Sequence, residues 1–398
     1  MDTSPIRTTY DVVIIGGAMI GSSVAWFLTD NPDFNGSILV VEKDPTYEFA
    51  STSRTNSCIR QQFSNEVNVR VSQFGAEFIK SFRERIGDPE TPEVTLQSFG
   101  YMYLADTTDK VTALEEALEA QVACGAATRL MTPDEIIADY PFYNLDGILV
   151  GSHNKVDEGY FDGGTIFDWW RRSAKAKGAE YVNNEVVAMT RDGARITGVT
   201  LASGETVTCG TVVNAAGPRA AGVAAMAGID VPVRPRRRYT FIFDAENPLD
   251  RDLPLTIDPS GVHMRTDGRY YLAGCPPDED PDVEPDDFYE DHSVWQEKAW
   301  PAIASRIPQF EAVRLINSWI GHYAFNTLDQ NAIIGFADEA ENLLLVNGFS
   351  GHGFQQSPAM GRGASELISY GAYRTLDLSP FSYARIRDGR PFVEKAVI

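Results

Sequence analysis

Apolar residues change their spacing from segment to segment along the chain, and each spacing predicts an element. Val12-Val13-Ile14-Ile15 is a continuous apolar run that stops at Gly16-Gly17. Such a run marks a strand buried on both faces of a parallel sheet. Residues 19–29 then carry apolar side chains at helical spacing, and residues 37–41 form a second buried strand ending in Glu42. Residues 66–86 predict one long amphipathic helix with Val67, Val71, Phe74, Phe78 and Phe82 on one face. Short strands and helices mix over 91–150, and a helix is predicted over 163–177. Three strands follow at 182–189, 196–201 and 207–213, separated by the Asp192-Gly193 and Ser203-Gly204 turns. Strand-like alternation covers 231–275, and the acidic, Pro-rich stretch 276–287 reads as a solvated loop. A last buried strand at 343–347 leads into a helix from about 353. The chain thus opens with a strand–turn–helix–strand unit and closes with strand–Gly loop–helix. The fold class is α/β (α+β), with a discontinuous cofactor domain and a second, strand-rich domain inserted through it.

The length of 398 residues suits two joined domains better than one core. A formal net charge of -22 makes nucleic acid and anionic membrane poor partners. It also means that an anionic substrate needs locally placed cations. Cys58, Cys124, Cys209 and Cys275 are far apart, so neither a zinc site nor a disulfide framework is expected. No apolar run is long enough for a membrane span. The first seven residues carry no signal-peptide pattern, and a cytoplasmic location is expected.

Chemistry is first legible at Gly16-Gly17-Ala18-Met19-Ile20-Gly21, which follows a strand and opens a helix. Glycines there permit a tight turn and close approach to a pyrophosphate, and the helix N-terminus supplies oriented N–H groups. Glu42, about twenty residues beyond Gly21, stands where a carboxylate binds ribose hydroxyls, with Lys43 beside it. The middle glycine of the fingerprint is replaced by Ala18.

Several further segments appear in an order that resembles the D-amino-acid oxidase/sarcosine oxidase superfamily. They are Ala50-Ser51-Thr52-Ser53-Arg54, Ile59-Arg60-Gln61-Gln62-Phe63, Val212-Val213-Asn214-Ala215-Ala216-Gly217-Pro218 and Gly348-Phe349-Ser350-Gly351-His352-Gly353-Phe354. In motifs the chain most resembles the FAD-dependent oxidoreductase-domain proteins. The resemblance implies non-covalent FAD in a Rossmann-like domain made of 1–90, 151–228 and 329–398. An antiparallel-sheet substrate domain would comprise 91–150 and 229–328. It places Ser51 and Thr52 near the pyrophosphate and flavin, the Val187 backbone at the adenine, Ala216 and Gly217 against the cofactor, and Gly351, His352, Gly353 and Phe354 at the flavin pyrimidine.

For the substrate, the resemblance makes Arg60 the candidate for pairing with a carboxylate, a task suited to a guanidinium. Arg238, at the end of Arg234-Pro235-Arg236-Arg237-Arg238, is a second candidate. His263 occupies a pocket-tyrosine position, and His322 replaces the cysteine that binds FAD covalently in sarcosine oxidases. Tyr323 stands where some members carry the carboxylate arginine, Gln355 where others carry a lysine, and Leu272 in place of an oxygen-activating lysine. No metal is expected. Several cationic or protonatable groups together suit a small anionic amine with more than one carboxylate, such as an imino diacid. The reaction implied is oxidation of a C–N bond to an imine, with electrons passing to O2, a quinone or an electron-transfer partner. A 2-hydroxy-acid dehydrogenase and a non-catalytic flavin-bearing assembly factor are the alternatives.

Overall fold

The computed structural model describes residues 3–396. Its first sheet runs, strand by strand, Ile333–Ala337, Ala340–Asn347, Thr206–Asn214, Thr9–Ile15, Ile38–Glu42 and Glu180–Asn183. Neighbours from Ala340–Asn347 to Glu180–Asn183 are parallel, and Ile333–Ala337 closes the edge antiparallel. The central strands are buried on both faces, which is why they read as continuous apolar runs. An antiparallel pair, Val186–Asp192 with Arg195–Leu201, extends from Thr206–Asn214.

One face of this sheet is covered by the helices Met19–Asp30, Glu66–Lys80, Gly163–Ala176 and Gly353–Tyr370. Trp26, Phe27, Phe78 and Trp170 meet there with ring centroids 4.7–6.3 Å apart. Burying each such ring contributes roughly 1.5–3 kcal/mol. The first and last of these helices touch closely, since a Cβ on Gly361 would fall 2.0 Å from Ser23 Oγ. Pro358 lies inside the last helix and cannot donate to the Phe354 carbonyl. The Ser357 hydroxyl donates to it instead, at 2.8 Å.

The second sheet runs Val313–Asn326, Val233–Ala245, Tyr270–Cys275, His263–Asp267, Leu255–Ile257, Tyr101–Ala105, Val150–Asn154 and Arg129–Met131. Every pairing is antiparallel except Leu255–Ile257 with Tyr101–Ala105. Val150–Asn154 belongs wholly to this sheet, although the expected domain junction falls at 150. A short ribbon, Cys58–Ile59 with Gly159–Tyr160, lies apart from both sheets.

Two elements differ from the periodicity reading. The helix expected over 66–86 breaks at Ser81 into Glu66–Lys80 and Phe82–Ile86. The Ser81 hydroxyl bonds back to the Glu77 carbonyl at 2.8 Å, competing with the backbone ladder. The strand expected over 182–189 is two strands, because the chain leaves Ile38–Glu42 after Asn183 and joins the antiparallel pair at Val186. Asn184 anchors the crossing by donating to the Thr3 carbonyl and Ser203 Oγ. Among the described residues, no helix is long and apolar enough to cross a membrane.

Candidate active site

A cleft of about 1160 Å³ follows the junction of the two sheets and is lined by strands and loops from both. At one end lies the turn after Thr9–Ile15. Gly16 has φ +95°, and a Cβ there would stand 2.5 Å from the Ala215 carbonyl oxygen. A Cβ on Gly21 would stand 1.8 Å from the Gly16 carbonyl oxygen, so helix and turn touch backbone to backbone. Ala18 has φ -73°, a conformation any L-residue adopts, so alanine in place of the middle glycine brings no backbone strain. Ala18 offers no side-chain cap to the helix Met19–Asp30. The helix therefore keeps its positive N-terminal end for an anion in the cleft, along with N–H groups such as that of Ile20. Thr52 Oγ1 accepts the Met19 N–H at 3.1 Å, and Ser51 Oγ donates to the His322 carbonyl at 2.6 Å, bringing both residues to the cleft wall.

Glu42 lies at the end of its strand and lines the cleft. It accepts the N–H groups of Gly17 and Asp44, each at 2.8 Å. Burial nevertheless raises its carboxyl above the ordinary range. Lys43 pairs with Glu185 at 3.2 Å on the rim. Val186, not Val187, lines the cleft. The Val187 side chain is 47% exposed on the opposite face of the strand, which leaves only its backbone to meet an adenine. The Gly-rich turn, a helix start that Ala18 does not cap, the buried carboxylate and the elongated cleft together fit a dinucleotide cofactor.

Further along, Ala216 and Gly217 line the same wall at the end of Thr206–Asn214. Gly351 has φ +95°, and a Cβ there would fall 2.4 Å from the Tyr323 ring. His352 precedes Gly353, the first residue of the helix Gly353–Tyr370, without capping it. That helix start is a second positive end facing the cleft, suited to negative charge developing nearby. Phe354 packs on Phe161, which fixes the helix start.

The far end of the cleft gathers Arg60, Tyr101, Arg238, His263, Tyr323 and Gln355. Arg60 is 2% exposed. Its guanidinium lies over the Phe63 ring at 4.3 Å, and Nη2 donates to His352 Nε2 at 3.1 Å and to the Ala396 carbonyl. Because arginine only donates, His352 Nε2 is the acceptor in that bond. Burial and the Arg60 charge hold His352 well below the ordinary histidine range. Gln355 lines the cleft. Its Oε1 accepts the Arg60 backbone N–H at 2.9 Å and so positions the arginine. Among the described residues, no carboxylate forms an ion pair with Arg60.

The expectation of several cations here is corrected. Burial, with Arg265, Arg238 and Arg60 nearby, depresses His263 to about 4, so it is neutral at pH 7. Its Nε2 lies 2.9 Å from Asn56 Nδ2, and Asn56 Oδ1 accepts from Thr240. His322 is also depressed, mainly by burial. Its ring stacks on Phe288 at 4.3 Å, and Nε2 donates to the Asp287 carbonyl at 2.8 Å. Arg238 lies over the Tyr323 ring at 4.6 Å, but its Nη1 and Nη2 donate to the Asp280 carboxylate at 2.8 and 3.0 Å. Burial raises the Tyr323 phenol, so that side chain is neutral too. The stretch 276–287 is therefore no free solvated loop. Its carboxylates also pair with Arg219, Arg236 and Arg237. Leu272 is buried in its strand and does not line the cleft.

Asn56, Tyr101 and Thr240 line this end and were not singled out in the sequence. Asn56 was within reach, since it lies between the Ala50–Arg54 and Ile59–Phe63 motifs. Tyr101 and Thr240 carry no local signal and arrive through the second sheet.

Comparison with known proteins agrees with the geometry. The DAO family, FAD dependent oxidoreductase, matches residues 11–367. FAD-dependent oxidoreductase domain-containing protein 1 of Xenopus laevis is 36% identical over an alignment covering 100% of this chain and 86% of that protein. Sarcosine oxidase subunit beta of an Arthrobacter species is 21% identical, covering 96% of this chain and 92% of that protein. The crystal structure of L-proline dehydrogenase from P. horikoshii superposes with a TM-score of 0.84 at 26% identity, covering 97% of this chain and 100% of that one. The chain belongs to the DAO family and is an enzyme, an FAD-dependent oxidoreductase.

Proposed function

We propose that the enzyme oxidises the C–N bond of a small amino acid or N-substituted glycine, giving an imine that water hydrolyses, and that FAD is held without a covalent bond. The observation that carries this reading is Arg60, a buried guanidinium on the cleft wall with no carboxylate paired to it among the described residues. When bound, FAD supplies the two-electron acceptor for hydride leaving the substrate α-carbon. The chain's own residues then have limited tasks. Arg60 binds the substrate carboxylate, and Gln355 fixes the Arg60 backbone. The Tyr101, Tyr323 and Phe349 side chains narrow the slot and exclude water.

At the far end of the cleft, among the described residues, neither His352 nor His263 offers a free Nε2 lone pair as base, which supports an amine over a 2-hydroxy acid. An alcohol must lose its O–H proton to a base, whereas a neutral amine needs none. His352 uses its Nε2 lone pair to accept from Arg60, and His263 Nε2 faces the Asn56 amide. Anaerobic mixing of the yellow protein with amino acids, N-alkylglycines and 2-hydroxy acids tests the reading. Bleaching of the flavin by an amine class is expected, and admission of air then distinguishes O2 from a quinone or protein acceptor. Bleaching by hydroxy acids alone, or by nothing but dithionite, contradicts the proposal.

A further inference from the structure

The acidic stretch 276–287 holds the arginine strand in a way the reaction does not require. Arg236 and Arg238 stand two residues apart on one face of Val233–Ala245, and both reach Asp280. Arg238 is the member of that pair deepest in the cleft wall, with its side chain 10% exposed, whereas Asp280 approaches from the loop side without lining the cleft. Three of the five Arg238 donors are committed, two of them to the Asp280 carboxylate that neutralises its charge. Nη1 gives to the Arg237 carbonyl at 2.7 Å and to Asp280, Nη2 gives to Asp280, and Nε is buried without a partner. The guanidinium face is covered by Tyr323.

We infer that Asp280 is a specificity-determining residue: by neutralising Arg238 it leaves Arg60, among the described residues gathered at the far end of the cleft, as the cation without a paired carboxylate, so the site takes amines with one carboxylate and rejects those with two. This rests on the amine-oxidation reading of the same site. A second substrate carboxylate reaching the remaining Nη2 proton or Nε–H of Arg238 meets a guanidinium whose charge Asp280 already neutralises. Attraction and repulsion then largely cancel, and the carboxylate has given up its water for no net gain. Displacing Asp280 instead strands that carboxylate beside Arg236 alone, and Arg236 already shares itself with Asp282 at 3.3 Å. His263 and His322 do not substitute as cations, because burial is the main cause that disfavours the charged form of each.

The test uses the FAD-loaded protein and two non-oxidisable probes of similar shape, 5-methylhexanoate and glutarate, titrated while flavin absorbance is followed. The wild type is expected to bind the monocarboxylate about tenfold more tightly than the dicarboxylate. In Asp280→Asn the ratio is expected to move by about tenfold or more towards glutarate, because Arg238 regains an uncompensated charge. Tighter glutarate binding by the wild type overturns the inference, as does an unchanged ratio in a flavin-loaded Asp280→Asn protein. If that variant does not hold flavin, the wild-type ratio alone decides. If neither probe perturbs the flavin of either protein while dithionite still bleaches it, the carboxylate-binding reading of the whole site falls, and that outcome is distinct from a normal monocarboxylate titration with no preference.

Discussion

The two ends of the cleft are built in opposite ways. The cradle end is local. Gly16 through Gly21 and Glu42 lie within one strand–turn–helix–strand unit, and two of its Cβ positions are forbidden by backbone. The substrate end is assembled from afar. Arg60 comes from the stretch just after a two-residue strand, Gln355 from the last helix, and Arg238 with Asp280 from a strand and loop of the second sheet. Local construction makes the first end rigid and intolerant of substitution. Remote construction makes the second end adjustable, since one loop carboxylate decides whether an arginine is available.

That contrast can be broken most severely at the cradle. Gly21→Val forces a side chain into the Gly16 carbonyl, already 1.8 Å from an ideal Cβ. The expected result is a folded but colourless protein, with FAD affinity down about 100-fold or more, roughly 3 kcal/mol. The flavin-to-protein absorbance ratio after purification measures it, and full flavin content would show that the turn does not carry the cofactor.

A smaller effect is expected from His263 at the adjustable end. Its folded pKa of about 4 lies below the ordinary 6.5. Above pH 6.5 both folded and unfolded chains keep the ring neutral. As pH falls from 6.5 towards 4, the unfolded chain takes the proton first, so folding stability is lost over that window, by up to about 3 kcal/mol. Glu158, raised by burial to about 7, acts in the opposite direction between pH 4.5 and 7. The comparison is therefore between wild type and His263→Gln. Thermal denaturation across pH 4–7 should show a shallower acid loss in the variant, and parallel curves would mean His263 is not held neutral by its surroundings.

The smallest effect concerns Gln355. Gln355→Met leaves the buried Arg60 N–H without its acceptor, at a cost of about 1–3 kcal/mol in stability. If Gln355 positions Arg60, KM for the amine rises while kcat and flavin content change little. A fall in kcat at constant KM would place Gln355 in the chemistry itself.

The same contrast explains what was legible in the sequence. The cradle could be read because its residues are neighbours in the chain and its apolar runs are continuous. Helix starts at 19 and 353 were legible from the glycines before them. Arg60 and Gln355 were found by resemblance, but the role of Gln355 was not, since a hydrogen bond to a backbone N–H 295 residues away leaves no trace in spacing. Arg238 looked like a free cation because its partner lies 42 residues on, in a stretch whose composition alone says solvated loop. Val187 was read for its backbone alone, and its exposed side chain leaves that backbone role to it while the neighbouring Val186 lines the cleft. Tyr101 and Thr240 enter the site only through pairing within the second sheet.

The most direct test of the central claim is the rate of anaerobic flavin bleaching by the best monocarboxylate amine, in wild type and in Arg60→Met. The account predicts that the variant keeps its FAD and loses about 100-fold or more in kcat/KM, in the range of 2–5 kcal/mol for removing one partner of a buried charge pair. A flavin-loaded Arg60→Met protein that bleaches at the wild-type rate, with unchanged substrate affinity, would contradict it.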